Sequence, residues 1–439
     1  MAIALVFAAA MYWSAMPQGG PIAGAIAVTA LAAALWISEV LPLPVTAILI
    51  PVGLSTVGVF EVANAYASFG HPVLFLVLGG YALAAAVGAN GVDRWIVRRM
   101  LERAGSRTIS IVTLLMASAA LLSMLISNTA TTALLLPVAV GILRHRSDDA
   151  NLARLLPLSI AYGASIGGVA TVVGSPPNAI AAGLLDIGFF QWMTYALPVS
   201  VAMFALAVPI LWWTYPPQTR QVHIQFEDDA PLSRGARHTL AILGVTFLLW
   251  LVGPSVARIL GLPSALFSAA AVACLAMALL LLARCVTWKD LESRVQWGVL
   301  LLLGGGLSLG RGLSESGAAD WLAGLLVTHT GELPPLALLA ALVAIAVFAT
   351  ELISNTAITA KMAPVLIGVS LHLGVSAESL VVPVAIATSM AFMLPVATPP
   401  NAMVHASGYV SQRDMVRVGF RLNLAAIAAI SMVFSLQSW

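Results

Sequence analysis

The stretch LISNTATTALLLPV at 125–138 recurs as LISNTAITAKMAPV at 352–365, 227 residues downstream. A polar Ser-Asn-Thr tripeptide held inside apolar sequence, and held twice, marks a chain of two related halves that build one site between them. A second echo supports this: VVGSPPNAI at 172–180 returns as PVATPPNAM at 395–403, at a similar distance after each Ser-Asn-Thr. Two motifs in the same order, twice, are more than a chance repeat of one tripeptide.

The surroundings of these motifs set the class. Of 439 residues 60% are hydrophobic and 9% charged, against roughly 25% charged in an ordinary soluble domain. The chain reads as an all-α polytopic membrane protein, because apolar runs of about 20 residues suit helices and not the alternating pattern of a barrel. Eleven candidate spans are expected, at 2–16, 21–38, 43–60, 72–90, 155–184, 190–215, 237–254, 264–284, 297–312, 379–405 and 416–436. Around the two motifs, 108–145 and 334–371 are expected as re-entrant hairpins. The spans 155–184 and 379–405 are expected to be interrupted at their Pro-Pro-Asn. The run in 1–20 has no Lys or Arg before it and no polar domain after it, so it is read as a first span and not a cleaved leader.

These expectations divide the chain into a first span (1–20), one repeat (21–215), a polar linker (216–236) and a second repeat (237–439). Each repeat holds three spans, a hairpin, an interrupted span and a final span. Five crossings is an odd number, so the second copy is inserted upside down relative to the first, an inverted-topology repeat. With the N-terminus cytoplasmic, 17 of the 20 Lys and Arg fall in inside loops, the linker among them, as the positive-inside rule favours, and the C-terminus falls outside. Gly79, Gly80, Gly304, Gly305 and Gly306 are read as close-packing residues between helices. Cys274 and Cys285 lack metal-ligand spacing and are read as free thiols. A net charge of +2 without basic runs gives no support to nucleic-acid binding.

Ser, Asn and Thr are good helix caps, so Ser127, Asn128 and Thr129 are expected to cap the second arm of their hairpin. Capping alone does not explain the repetition. Broken backbone at membrane depth is tolerated only where protein buries it or a wet cavity receives it, so the breaks mark a cavity. Helix N-termini turned into that cavity suit an anion, and free carbonyls with Ser, Asn and Thr oxygens suit a small hard cation such as Na⁺. Acidic residues are nearly confined to loops and span ends, Glu351 alone standing beside a motif. Proton-driven carriers usually need ionisable groups within the membrane, so this scarcity favours Na⁺ or exchange without a cation.

At these residues the chain resembles the divalent anion/sodium symporter family, the INDY-type carriers of dicarboxylates, citrate and sulfate. The resemblance covers WISEVLPLPVTAILIP at 36–51, both Ser-Asn-Thr stretches, IAYGASIGGVATVVGSPPNA at 160–179, QWGVLLLLGGGLSLG at 296–310 and SMAFMLPVATPPNAMV at 389–404. It implies one Na⁺ site at Ser123, Ser127, Asn128 and Gly174, and another at Thr350, Ile353, Ser354, Asn355 and Ala397. It also implies a small dianionic substrate held by Asn128, Thr129, Ser175 and Pro176 on one side and by Asn355, Thr356, Thr398 and Pro399 on the other. The family pattern further implies a homodimer in the lipid bilayer, with a fixed scaffold domain and a transport domain that moves like an elevator.

The expectation is therefore a transporter, not an enzyme: a Na⁺-coupled importer of succinate-like C4-dicarboxylates in a bacterial inner membrane. A dicarboxylate exchanger and a sulfate symporter are the alternatives, and an anion channel is the rival of another class. One departure is Lys361, where the first half has Leu134. An ammonium there either snorkels outward or takes the place of a cation.

Overall fold

The computed structural model describes residues 2–38, 40–144, 149–222, 232–330 and 334–438. Residues 223–231 of the expected linker 216–236, and residue 145 at the end of the first expected hairpin, lie outside them. The chain is an all-α polytopic membrane protein, and the β pairing among the described residues is an isolated bridge between Arg107 and Gln221.

After the opening helix Ala2–Ala15, the helices of the first half run Gly20–Ser38, Leu43–Thr56, Pro72–Ala89, Val92–Glu102, Thr108–Ser123, Asn128–Arg144, Ala150–Gly168, Pro176–Leu185 and Phe189–Thr214. Those of the second run Arg234–Leu260, Ala269–Leu282, Trp297–Glu315, Ala318–Thr330, Pro335–Ala349, Asn355–Leu373, Ala377–Ala387, Pro399–Ala406 and Gln412–Ser438. Long, paired and broken helices thus follow the same order in both.

Six stretches among the described residues have the length and apolar character to cross a bilayer: Gly20–Ser38, Val62–Ala89, Phe189–Thr214, Arg234–Gly253, Asn355–Leu373 and Gln412–Leu436. Six further apolar helices, including both arms of the first motif-bearing pair, have only 10–17 residues. At 1.5 Å per residue such a helix reaches at most ~25 Å, short of a ~30 Å hydrocarbon core. The expected spans 155–184 and 379–405 each contain two helices, interrupted ahead of Pro-Pro-Asn as the sequence led us to expect, while 43–60 and 264–284 hold helices of 14 residues.

Tandem prolines account for the restarts. Pro176-Pro177 and Pro399-Pro400 open their helices at the first turn, where a missing N–H costs nothing. The halves lock together through small residues. Pro72–Ala89 packs on Ala269–Leu282, and Leu43–Thr56 packs on Trp297–Glu315. A Cβ added at Gly79 would stand 2.7 Å from the Ala273 carbonyl oxygen, and one at Gly305 would stand 2.4 Å from that of Ala47. Gly80 and Gly304 are equally tight against Val173 and Phe69, whereas Gly306 has room for a methyl group. Cys285 is buried, Cys274 is partly so, and both are free thiols.

Candidate substrate and ion site

The first break lies between Gly168 and Pro176 and faces the turn that joins Thr108–Ser123 to Asn128–Arg144. The Ser123 hydroxyl donates to Asn128 Oδ1. Thr171 Oγ1 donates 2.7 Å to the Met124 carbonyl and accepts the Gly174 N–H at 3.1 Å, so break and turn are stitched to each other. A Cβ at Gly168 would fall 2.4 Å from Asn128 Oδ1, and one at Gly174 would fall 2.3 Å from the Gly168 carbonyl oxygen and 2.8 Å from that of Ser123. Only glycine lets these oxygens crowd together. Ser127 instead accepts the Ala130 N–H at 3.2 Å, which is the capping role expected of it.

The second break, 388–398, repeats the plan. Thr350 Oγ1 donates to Asn355 Oδ1 and also lies 2.6 Å from the Thr388 carbonyl oxygen. One hydroxyl proton cannot serve both oxygens, so one of them is left facing a lone pair. Thr359 Oγ1 pairs with Thr388 Oγ1 at 2.8 Å and with the Asn355 carbonyl oxygen at 3.1 Å. The equivalent Thr132 Oγ1 bonds the Asn128 carbonyl oxygen at 2.9 Å. The Thr398 hydroxyl accepts the Asn401 N–H at 3.3 Å as a true N-cap, whereas Ser175 makes no such cap and pairs with Ser389 Oγ at 3.1 Å. Ser354 makes no capping bond, and Ile353 and Ala397 are partly exposed.

Packing brings the breaks together crosswise. Pro176–Leu185 lies on Asn355–Leu373 of the other half, and Pro399–Ala406 lies on Asn128–Arg144. Ser175 to Ser389 is one direct link across the halves, and Tyr162 Oη donating 2.8 Å to the Phe392 carbonyl is another. Among the described residues no hydrogen bond joins one Ser-Asn-Thr directly to the other. Thr129, Thr356, Pro176 and Pro399 keep part of their surface exposed, while Ser175 and Thr398 are 5% and 6% exposed. Pro176 and Pro399 carry no N–H, so hydroxyl donors at these positions come from Ser175 and Thr398.

Two residues central to this geometry were not among the expected site residues. Asn178 Nδ2 donates to the carbonyls of Gly168 at 2.9 Å, Val169 at 3.2 Å and Thr171 at 2.7 Å. Asn401 Nδ2 donates to those of Ala391 and Leu394, both at 3.1 Å. In each break the asparagine reaches ten and seven residues back, stapling carbonyls that helical bonds have released. The signal was present in the repeated Pro-Pro-Asn, whose asparagine recurs as faithfully as its prolines.

Each Ser or Thr and Asn cluster is a set of hydroxyl, amide and carbonyl oxygens, a ligand set that fits a small hard cation. Among the described residues no group of three or more His, Cys, Asp or Glu side chains gathers as a metal site. Lys361 does not point at these oxygens. Its Nζ lies 3.5 Å from the Ala33 carbonyl oxygen and 5.9 Å from the centre of the Trp36 ring, both on Gly20–Ser38. These contacts thus lie on Gly20–Ser38 and not among the Asn355 ligands.

Residues 33–382 match the citrate transporter family (CitMHS). The chain belongs to that family. A transporter of Haemophilus influenzae, uncharacterized, is 37% identical over 92% of this chain and 90% of its own length. The sodium-dependent dicarboxylate transporter SdcS of Staphylococcus saprophyticus is 30% identical over 93% of this chain and 84% of its own. The crystal structure of the YdaH transporter of Alcanivorax borkumensis superposes with a TM-score of 0.59 at 16% identity, over 95% of this chain and 98% of that one, and shares the fold. The resemblance to divalent anion/sodium symporters is thereby borne out. This citrate transporter family member is a multi-pass membrane transporter and not an enzyme.

Proposed function

We propose that the protein is a Na⁺-coupled symporter that imports C4-dicarboxylates such as succinate, malate or fumarate. The observation that carries this is the pair of oxygen clusters, Ser123 with Asn128 and Thr350 with Asn355, each beside a broken helix whose restart lies on the other half. In this reading Na⁺ binds at Ser123, Ser127, Asn128 and Gly174 and at Thr350, Ile353, Ser354, Asn355 and Ala397. The dianion lies between the halves, held by Asn128, Thr129, Ser175 and Pro176 and by Asn355, Thr356, Thr398 and Pro399. Each asparagine serves an ion and the substrate together, so substrate affinity rises when the cations are bound. The donors to the substrate are themselves neutral and recognise its charge and shape. The sodium-dependent dicarboxylate transporter among the relatives supports both the substrate class and the ion.

The two hairpins and two broken helices form the moving transport domain, and the remaining spans form the scaffold of a homodimer. The repeats 21–215 and 237–439 have inverted topology in an inner membrane, with the N-terminus cytoplasmic and the C-terminus outside. Labelled succinate uptake into liposomes tests the whole reading. Accumulation should require an inward Na⁺ gradient and rise sigmoidally with Na⁺. Equal uptake in Na⁺-free liposomes loaded with succinate would make the protein an exchanger, and uptake of sulfate in place of succinate would make it a sulfate symporter.

A further inference from the structure

Glu351 is 3% exposed, directly after Thr350, in the turn between Pro335–Ala349 and Asn355–Leu373. Its Oε1 accepts the N–H groups of Phe392 at 2.8 Å and Met393 at 2.9 Å, and its Oε2 accepts that of Leu394 at 3.0 Å. Asn423 Nδ2 adds a fourth donor at 2.8 Å. Oxygens that only accept are those of an ionised carboxylate. Among the described residues no Lys or Arg forms an ion pair with it. The negative charge is held by hydrogen bonds and left without a countercharge.

The first half has nothing equivalent. Four residues before Asn128 stands Met124, as Glu351 stands four before Asn355. The first break is held by neutral groups: Asn178, the Thr171 hydroxyl on the Met124 carbonyl, and Trp192 Nε1 on the Val169 carbonyl at 2.9 Å.

We infer that Glu351 is a positioning residue that makes the second cation site the stronger of the two and the first to fill. It fixes the backbone of 392–394, which leads into Ala397 and Thr398, so the second break is set before any ligand arrives. Its charge also adds an attraction, in a low-dielectric interior, for a cation among the Thr350 and Asn355 oxygens. The cation supplies the countercharge that the protein withholds. This inference rests on the reading of Thr350 and Asn355 as a cation site.

The test uses purified full-length protein, first in detergent without substrate and then in liposomes. Wild-type protein should gain thermal stability with rising Na⁺. In Glu351→Gln the Na⁺ concentration for half-maximal stabilisation, and for half-maximal uptake, should rise about tenfold or more, the loss of one favourable charge interaction in a buried site. Maximal uptake at saturating Na⁺ should stay within a few-fold of wild type. Glu351→Asp keeps the charge and should recover most of the Na⁺ affinity. If Glu351→Gln does not fold, Glu351→Asp and Asn423→Ala decide, each expected to raise the half-saturating Na⁺ about two- to fivefold. An unchanged half-saturating Na⁺ in these variants, or a fall in maximal uptake alone, overturns the inference while leaving Na⁺ coupling intact. A wild-type protein indifferent to Na⁺ overturns the reading of the site and this inference with it.

Discussion

The two breaks share a geometry and differ in what holds it. In both, an asparagine after tandem prolines reaches ten and seven residues back to loose carbonyls, and a hydroxyl five residues before the Ser-Asn-Thr asparagine donates to its side chain. The first break is then finished with neutral hydroxyl, amide and indole groups, the second with a buried carboxylate. What the halves have in common is therefore what the unwound backbone demands, and what they do not share is free to make the two sites unequal.

The strongest way to break the comparison is to remove the shared asparagines of the motifs. Asn128→Ala and Asn355→Ala should each reduce transport to background, because each takes a ligand from an ion and from the substrate at once. Both side chains are partly exposed and neither staples a break, so both variants should elute like wild type; Asn128→Ala leaves the buried Ser123 hydroxyl unpaired and should cost about 1–3 kcal/mol, whereas Asn355→Ala leaves Thr350 its bond to the Thr388 carbonyl. Normal uptake by either variant, measured in liposomes, would end the shared-site reading.

A smaller effect sharpens the contrast. Asn178→Ala leaves the Gly168 and Thr171 carbonyls without a donor, Val169 keeping Trp192 Nε1, in a break with no carboxylate, whereas Asn401→Ala strips the Ala391 carbonyl, Leu394 keeping the Ala397 N–H, and leaves the second break still clamped by Glu351. At about 1–3 kcal/mol for each buried group left unpaired, Asn178→Ala should cost several kcal/mol and Asn401→Ala about half as much. Thermal unfolding in detergent reads the difference. Equal losses would mean that Glu351 adds nothing to the rigidity of the second break.

The motifs made both breaks legible, because a polar tripeptide and a Pro-Pro pair can hardly stand inside apolar helices without interrupting them. Gly79 and Gly305 were legible as packing residues for a similar reason, since a side chain at either would collide with a neighbouring backbone. The crosswise packing was not legible. Helices apolar on every side carry no stripe to say which neighbour they meet, so nothing in 176–185 pointed to 355–373. Nor could sequence show that Glu351 turns towards 392–394, because a carboxylate beside a motif reads alike whether it binds a ligand or holds the backbone. Ser127 did as its residue type suggested and Ser354, its twin, did not.

The smallest expected effect concerns Lys361, a residue at which the outbound arms of the two hairpins differ in charge, Leu134 being its counterpart. Its ammonium lies against the Trp36 ring and the Ala33 carbonyl near the C-terminal end of Gly20–Ser38, a position favourable to a cation. Trp36 is 1% exposed and anchored by its Nε1 on the Leu43 carbonyl at 3.2 Å, so it offers a fixed face. If the hairpin slides past this helix, as the elevator reading requires, the contact exists in only one of the two end states. Lys361→Leu, copying Leu134 of the first half, should then leave the half-saturating Na⁺ unchanged and shift the balance between states by the worth of one cation–π contact of a partly exposed ammonium, about 0.5–1 kcal/mol or two- to fivefold. Cross-linking between engineered cysteines on the hairpin and on Gly20–Ser38 measures that balance. Trp36→Leu should move it in the same direction, and the double variant should go no further than either single one, because both remove the same contact. A Na⁺ dependence that appears only when the ammonium is removed would instead place Lys361 in the role of a cation.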